Sequence, residues 1–277
     1  MNEDARNRWN SAAAEWGRHA DRIDEEAGAV TERLLAAIAP APGERVLELG
    51  AGPGGVGLRA AAAVAPGGSV VITDIAPAML DVARRRAQEL ALDGVRFEVA
   101  DATQLALPDE AFDAAACRFA LQAMSDPGRA LGEMLRVLRP GGRLALAVWG
   151  RPDRNPGTAA AMAAIREAAG EPAPAGGSPI FSLADETQLE SLLTDAGFAD
   201  VRIEHVTGER RYESFEAWWE LRRRLPPGAQ TTWASLDPAA RTEVERTLRE
   251  RVAAHREGDE LVFPWEAVVA RARRPGG

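Results

Sequence analysis

The 277-residue chain contains no lysine, one tyrosine, Tyr212, and one cysteine, Cys117. A lone thiol excludes a disulfide framework within the chain and any cysteine-based zinc site. No apolar run reaches the roughly 18–20 residues needed to span a bilayer. Met1 to Asn10 carries acids and arginines without an apolar core, so it does not read as a signal peptide. All 33 basic residues are arginines, set against 42 acids for a net charge of −9, which argues against a general nucleic-acid binder. With so much alanine, the arginine bias reads as genomic codon usage, and arginine–glutamate mixing along helices as an ordinary solvated face. These absences predict a cytoplasmic protein with no nucleic-acid or membrane partner; monomer and homodimer both remain open.

What is present is a globular composition, 46% hydrophobic and 27% charged, at a length suited to one large α/β domain or a domain with an inserted lid. Within it, Arg45-Val-Leu-Glu-Leu-Gly-Ala-Gly-Pro-Gly-Gly55 is a short apolar strand that breaks into a glycine-rich turn. Glycines there let a ligand approach the backbone, and a helix starting behind them points its free amides into the turn. That is a nucleotide-type site. Gly50, Gly52 and Gly55 also satisfy the dinucleotide pattern G-x-G-x-x-G, so the turn alone does not choose the nucleotide.

Along the chain, Arg8 to Ala39 is helical in pattern, with Pro40 as the stop. Strands are expected at 45–49, 69–75, 95–100, 112–117 and 143–149, alternating with helices at 55–64, 77–90 and 127–138. Alternation with near-continuous apolar strands predicts a parallel sheet covered on both faces. The Pro- and Gly-rich stretch 150–179 surrounds a helix at 158–169. Beyond it come a helix at 185–196, a strand at 200–206, helices at 214–225 and 238–256 broken at Pro226-Pro227-Gly228, and a last strand at 261–271. Val244, Leu248 and Val252 give the second of those insert helices one apolar stripe.

Asp74 ends the second strand, 22 residues after Gly52. A carboxylate there accepts from both hydroxyls of a ribose, which on its own fits an NAD enzyme equally well; the alternative is a turn or helix-cap residue before Ile75-Ala76-Pro77. Asp101-Ala102 ends the third strand and suits an adenine amino group. Two acids on adjacent strands leave little room for a pyrophosphate, which shifts the balance from a dinucleotide toward an uncharged-linker nucleoside.

Taken together, Glu48-Leu-Gly-Ala-Gly-Pro-Gly54, Asp74, Asp101-Ala102, Phe112-Asp113 and Leu138-Arg-Pro-Gly-Gly-Arg-Leu144 resemble the class I S-adenosylmethionine-dependent methyltransferases. The likeness is to the small-molecule branch that resembles ubiquinone and menaquinone biosynthesis methyltransferases, and it covers about Trp9 to Val206. The resemblance implies a doubly wound α/β fold with a seven-stranded, mostly parallel sheet in order 3-2-1-4-5-7-6, strand 7 antiparallel, under an α-helical cap. It implies one domain over residues 1–277, with cap helices at 1–40, a cofactor-binding core at 41–150 and a helical lid at 207–260 between strands six and seven. S-adenosyl-L-methionine is the implied cofactor, held by Glu48, Gly50, Ala51, Gly52, Gly54, Asp74, Ile75, Met79, Asp101, Ala102, Arg118 and Phe119. No Asn-Pro-Pro-Tyr-like tetrad follows the fourth strand, where Arg118-Phe-Ala-Leu-Gln-Ala-Met124 stands instead. That argues against the branches that methylate nucleic-acid and protein amide nitrogens.

Methyl transfer from a sulfonium is an in-line displacement, so the protein aligns the nucleophile, excludes water and, where needed, takes a proton. His19, on the N-terminal helix, and His205, where the sixth strand meets the lid, are the catalytic candidates; Tyr212 is a further possible base. For each histidine the alternative is structural, an exposed helix position or a sheet face. Trp9, Trp16, Gln122, Trp149, Tyr212, Trp218 and Trp219 are candidates for an acceptor pocket, with core packing as the alternative. Adjacent Trp218 and Trp219 are expected to diverge, one into the core and one into a cavity or interface. The acceptor is expected to be a small apolar or aromatic metabolite of secondary metabolism, methylated at oxygen or carbon. Three rivals stay open: a cofactor-retaining enzyme that does another reaction such as cyclisation, an NAD-dependent oxidoreductase, and a non-enzymatic binding protein. The second lacks a Tyr-x-x-x-Lys pair and the third would need the intact glycine turn to be vestigial.

Overall fold

The computed structural model describes residues 2–172 and 178–276; the end of the Pro- and Gly-rich stretch, 173–177, lies outside the described residues. Three helices come first: α1 (Glu3–Arg18), α2 (Ala20–Glu26) and α3 (Gly28–Ile38). The alternating core follows as β1 (Arg45–Leu49), α4 (Gly57–Val64), β2 (Ser69–Asp74), α5 (Pro77–Glu89), β3 (Val95–Val99), β4 (Phe112–Arg118), α6 (Pro127–Val137) and β5 (Leu138–Trp149). The chain then runs through α7 (Pro156–Ala168), α8 (Glu186–Asp195) and β6 (Ala199–Tyr212). It ends with α9 (Phe215–Arg224), α10 (Ala229–Ser235), α11 (Pro238–Val252), β7 (Arg256–Glu257) and β8 (Glu260–Arg273).

The sheet order is β3-β2-β1-β4-β5-β8-β6, with β7 folded back on β8. β8 is antiparallel to both β5 and β6, while the pairings from β3 to β5 are parallel. With β8 as the seventh strand of the core, this is the order the resemblance implied.

Two apolar layers sandwich the sheet. Val30, Leu34, Ile38, Leu58, Ala61 and Leu80 pack on the face that carries Ala145, Ala147, Val206, Trp265 and Ala267. Leu131, Met134, Leu189 and Leu193 of α6 and α8 pack on the face of Leu144, Leu146, Val148 and Val268. Alternation along β5, β6 and β8 therefore assigns each side chain to one layer.

Helix starts follow local chemistry. Asp126 and Asp237 each stand before a proline at the first helical position and accept from the amides of Arg129 and Ala240 at 2.9 and 2.8 Å. Two expectations shift. The sixth strand does not stop at Val206 but runs on to Tyr212, with 207–212 paired to β8, so the helical insert begins six residues later. The region between the insert's two expected helices folds as a further helix, α10, after the left-handed Gly228. Sequence reading missed it because Gln-Thr-Thr-Trp-Ala-Ser carries no helical period.

Candidate functional site

At the C-terminal ends of β1 and β2, Glu48 and Asp74 set the shape of the glycine turn. The buried carboxylate of Glu48 accepts from the amides of Val56 and Gly57 at 3.1 and 2.7 Å, closing the first turn around α4. Burial pushes its pKa up to about 7 against the pull of Arg118 and these two amides. Glu48 thus holds the turn from behind. Asp74 accepts from Gly52 at 2.9 Å through Oδ2 and from Ala76 at 2.9 Å through Oδ1. Burial raises its pKa, opposed by those backbone donors.

Gly52 adopts φ +53°, and the six-membered ring edge of Trp16 lies 3.7 Å from where its Cβ would stand. A side chain there would be strained and would crowd the indole. At Gly55 an added Cβ would collide with the Asp24 carboxylate and the Arg118 guanidinium. Arg118 donates to Asp24 Oδ1 at 2.8 Å and Thr31 Oγ1 at 2.6 Å, tying the end of β4 to α2 and α3.

The N-terminal helix roofs this row of strand ends. The Asn2 amide donates to Asp101 Oδ2 at 3.2 Å, and Asn10 Oδ1 accepts from Ala78 at 3.1 Å. Ala12 and Ala13 pack on Ala76 and Met79, with Trp9, Ile75 and Ala78 at the rim. Asp101 Oδ1 also accepts from the amide and hydroxyl of Thr103 at 3.0 and 2.7 Å. Although burial opposes its charge, these donors and the Asn2 amide hold its carboxyl below the usual range. Ala102 packs at the edge of the neighbouring layer. Gly52, Ile75, Met79 and Asp101 accordingly meet α1 or its cap, and Asp74 joins them through the Gly52 amide, whereas Gly50 faces Ala120 and Gly54 faces Ala83 and Leu58.

After β4, Phe119 takes φ +56°, a left-handed conformation that costs a non-glycine residue about 1–3 kcal/mol. Its ring stacks on Trp149 with centroids 4.8 Å apart, and its amide donates to Ala147 at 2.7 Å. Gln122 is buried; its Nε2 donates to the Phe119 carbonyl at 2.8 Å and its Oε1 has no hydrogen-bond partner among the described residues.

The structure separates the other candidates. His19 sits at the junction of α1 and α2, with Nε2 3.6 Å from Glu15. His205 does not stand at the lid entrance. It shares the α8 face of β6 with Val201 and Ile203, held by Glu186 at 2.6 Å and Glu266 at 3.1 Å. Desolvation lowers its pKa, but the two carboxylates outweigh that and raise it. Tyr212 lies on the opposite face, buried, its hydroxyl donating to Glu26 Oε1 at 2.9 Å. Burial raises its pKa despite Arg222, which makes it a poor base.

Trp218 and Trp219 are both buried in one cluster with Phe215, Leu248 and Phe263. Trp218 also bounds the small cavity beside Arg210, as expected of one of the pair, while Trp219 is covered by α10, which folds back over α9. Trp233 of α10 meets Trp219 edge-on at 5.4 Å while Trp218 meets Phe263 at 5.1 Å, so α9 is covered on two flanks. Sequence reading missed Asp24, Thr31, Glu26, Arg210, Arg222 and Trp265. In a chain whose every base is arginine no local pattern marks a buried one, although period-two alternation from Val206 would have put Arg210 and Tyr212 on one face.

Residues 46–142 match the family model described as a methyltransferase domain. A ubiquinone/menaquinone biosynthesis C-methyltransferase of Ectopseudomonas mendocina is 35% identical over 179 residues, 60% of this chain and 70% of that protein. The chain belongs to this methyltransferase family. A demethylmenaquinone methyltransferase of Clavibacter sepedonicus is 43% identical over 116 residues, 42% of this chain, and the match spans 45% of that relative's length. Among solved structures, the [4+2]-cyclase SpnF is 26% identical with a TM-score of 0.57, covering 90% of this chain and 80% of that one. The geranyl diphosphate C-methyltransferase of Streptomyces coelicolor, at 20% identity and TM-score 0.53, covers 89% and 79% and shares the fold.

Proposed function

We propose that this methyltransferase-family protein transfers a methyl group from S-adenosyl-L-methionine to carbon or oxygen of a small apolar or aromatic acceptor. The observation that carries the reading is the buried Asp74 carboxylate, fixed against the Gly52 amide beside a second acid, Asp101. One carboxylate for a ribose and one for an adenine, flanking a glycine turn, fit a nucleoside cofactor without a pyrophosphate. The cofactor supplies an electrophilic methyl on a good leaving group. The chain's part is alignment, for which Phe119 and Trp149 form a stacked wall at the ends of β4 and β5, and exclusion of water by α1 and the lid.

Residues 1–40 and the insert after β6 act as the cap over a core at 41–150. His19 is the proton acceptor if one is used; His205 serves the α8 face instead. The protein works in the cytoplasm, a reading supported by its composition and its lone buried Cys117, and acts on secondary metabolites as a monomer or homodimer. Among the described residues no helix is long and apolar enough to cross a membrane.

The test is thermal shift with S-adenosylmethionine, S-adenosylhomocysteine and NAD. A ligand at 100-fold over its Kd adds about 2.7 kcal/mol, a rise of roughly 5–10 °C. Shifts with the first two and none with NAD support the reading. A shift with NAD alone, or with nothing, overturns it.

A further inference from the structure

The sheet face that carries Trp149 continues on β6 into a buried group of arginines outside the row of strand ends proposed to hold the cofactor. The Arg210 guanidinium lies between two indoles, its Cζ 5.1 Å from the Trp149 centroid and 4.9 Å from that of Trp265. Arg210 is 8% exposed. Its Nε stands 3.6 Å from Glu26 Oε2, beyond hydrogen-bond distance, and has no hydrogen-bond partner among the described residues. Among the described residues its Nη2 reaches only the Glu26 backbone carbonyl, at 3.3 Å.

The Glu26 carboxylate is already occupied. It accepts from Arg222 at 2.6 Å, from the Tyr212 hydroxyl at 2.9 Å and from Arg22 at 3.2 Å. Three guanidiniums therefore converge on one carboxylate, and the most buried of them is the least satisfied. A structural strut would have its donor edge filled, because a buried charge without full hydrogen bonding is costly. Burial, then repulsion from Arg222, brings the Arg210 pKa down to about 10.

Beside the group is a cavity of about 10 Å³, bounded by Arg210, Arg222, Tyr212, Trp218, Thr158 and Phe263. In this closed arrangement it holds about one water, so a larger ligand enters only as α9 moves away. Planar guanidiniums flanked by aromatic walls match a carboxylate or phosphate attached to an apolar ring.

We propose that the acceptor of this enzyme carries an anionic group, a carboxylate or a phosphate, which Arg210 and Arg222 bind in place of the Glu26 carboxylate. This rests on the methyltransferase reading for its consequence, but the site is tested by binding alone. The full chain, saturated with S-adenosylhomocysteine, is titrated calorimetrically with phenyl phosphate, with benzoate and with neutral benzyl alcohol. At least one anion is expected to bind about ten-fold or more tightly than the alcohol, the scale of one charged hydrogen bond. The stronger of the two identifies the group.

Arg210→Gln should weaken the anion by about ten-fold or more and leave the alcohol unchanged. Glu26→Gln should strengthen it, since a competing carboxylate is gone, whereas a purely structural cluster predicts no gain. If Arg210→Gln does not fold, Arg210→Lys, which keeps the charge and loses the planar fork, should weaken phenyl phosphate in its place. The proposal is overturned if neither anion binds at millimolar concentration, if the alcohol binds as well as both, or if folded Glu26→Gln binds no more tightly. Failure of the wild-type chain to bind S-adenosylhomocysteine would instead sink the cofactor reading.

Discussion

The indole Nε1 of Trp16 donates to the carbonyl oxygen of Leu225 at 2.7 Å, across 209 residues of chain. The same ring edges onto Gly52 in the glycine turn and packs with Ile23 and Trp233 around the α9 cluster. One side chain on the N-terminal helix thus touches the turn and ties down the insert, joining the two parts of the cap directly to each other.

Trp16→Phe keeps most of the ring and removes the donor. Losing one hydrogen bond to a buried carbonyl costs about 1 kcal/mol, a fall in Tm of about 2–4 °C for a chain of this size. Hydrogen exchange should quicken in α9 and α10. Unchanged protection there would mean that the cap halves are held together by apolar packing alone.

Asp74→Ala should weaken S-adenosylhomocysteine by about 1.5–3 kcal/mol, the scale of charged hydrogen bonds. Because Asp74 also accepts from Gly52 and Ala76, the unliganded protein should melt lower as well. Calorimetric titration of Asp74→Asn separates the two effects, since its one remaining oxygen still accepts from the turn. Unaltered affinity in Asp74→Ala would remove the ribose assignment.

His19→Ala should lower turnover about 10²–10⁴-fold if the imidazole takes the proton, with cofactor affinity unchanged and the lower limb of the pH–rate profile lost. Full activity across the pH range would leave alignment as the whole of catalysis.

Stability should fall as pH rises through neutrality. Glu48 is raised from 4.5 to about 7, so its folded-state advantage is complete below 4.5 and is lost as pH climbs through about 7. His205, raised above 6.5, holds its advantage below 6.5 and loses it as pH passes its folded value. Denaturant melts at closely spaced pH should show the decline. Glu48→Gln should flatten its lower part and His205→Ala its upper part. A flat wild-type profile over that window would contradict both assignments.

Product mass distinguishes methyl transfer from the cyclisation that the fold of SpnF also serves. A gain of one methyl group with release of S-adenosylhomocysteine is expected, and a product of unchanged mass would decide for the rival.

The order of strands and helices was legible because each β-α unit carries its own period: near-continuous apolar runs such as Val70-Val71-Ile72, and stops such as Pro40 and Gly50. The glycine turn and the placing of Asp74 and Asp101 at strand ends could be read because backbone and strand-end geometry fix them within a few residues. For His205 the alternation with Val201 and Ile203 offered a sheet face as the alternative to catalysis, but which layer that face meets depends on the pairing register of β6 with β8, where one residue's shift would exchange the two layers.

By itself the sequence determined the parallel core, the nucleoside-type turn and the pair of strand-end acids. Each follows from local rules of period, φ and reach. Only the tertiary structure decided that Glu48 supports the turn from behind, that Trp218 and Trp219 share one cluster, and that Arg210 lies between Trp149 and Trp265 with Glu26 already claimed by its neighbours. Those facts depend on which distant segments meet, and burial assigns energies to such meetings that no window of sequence contains.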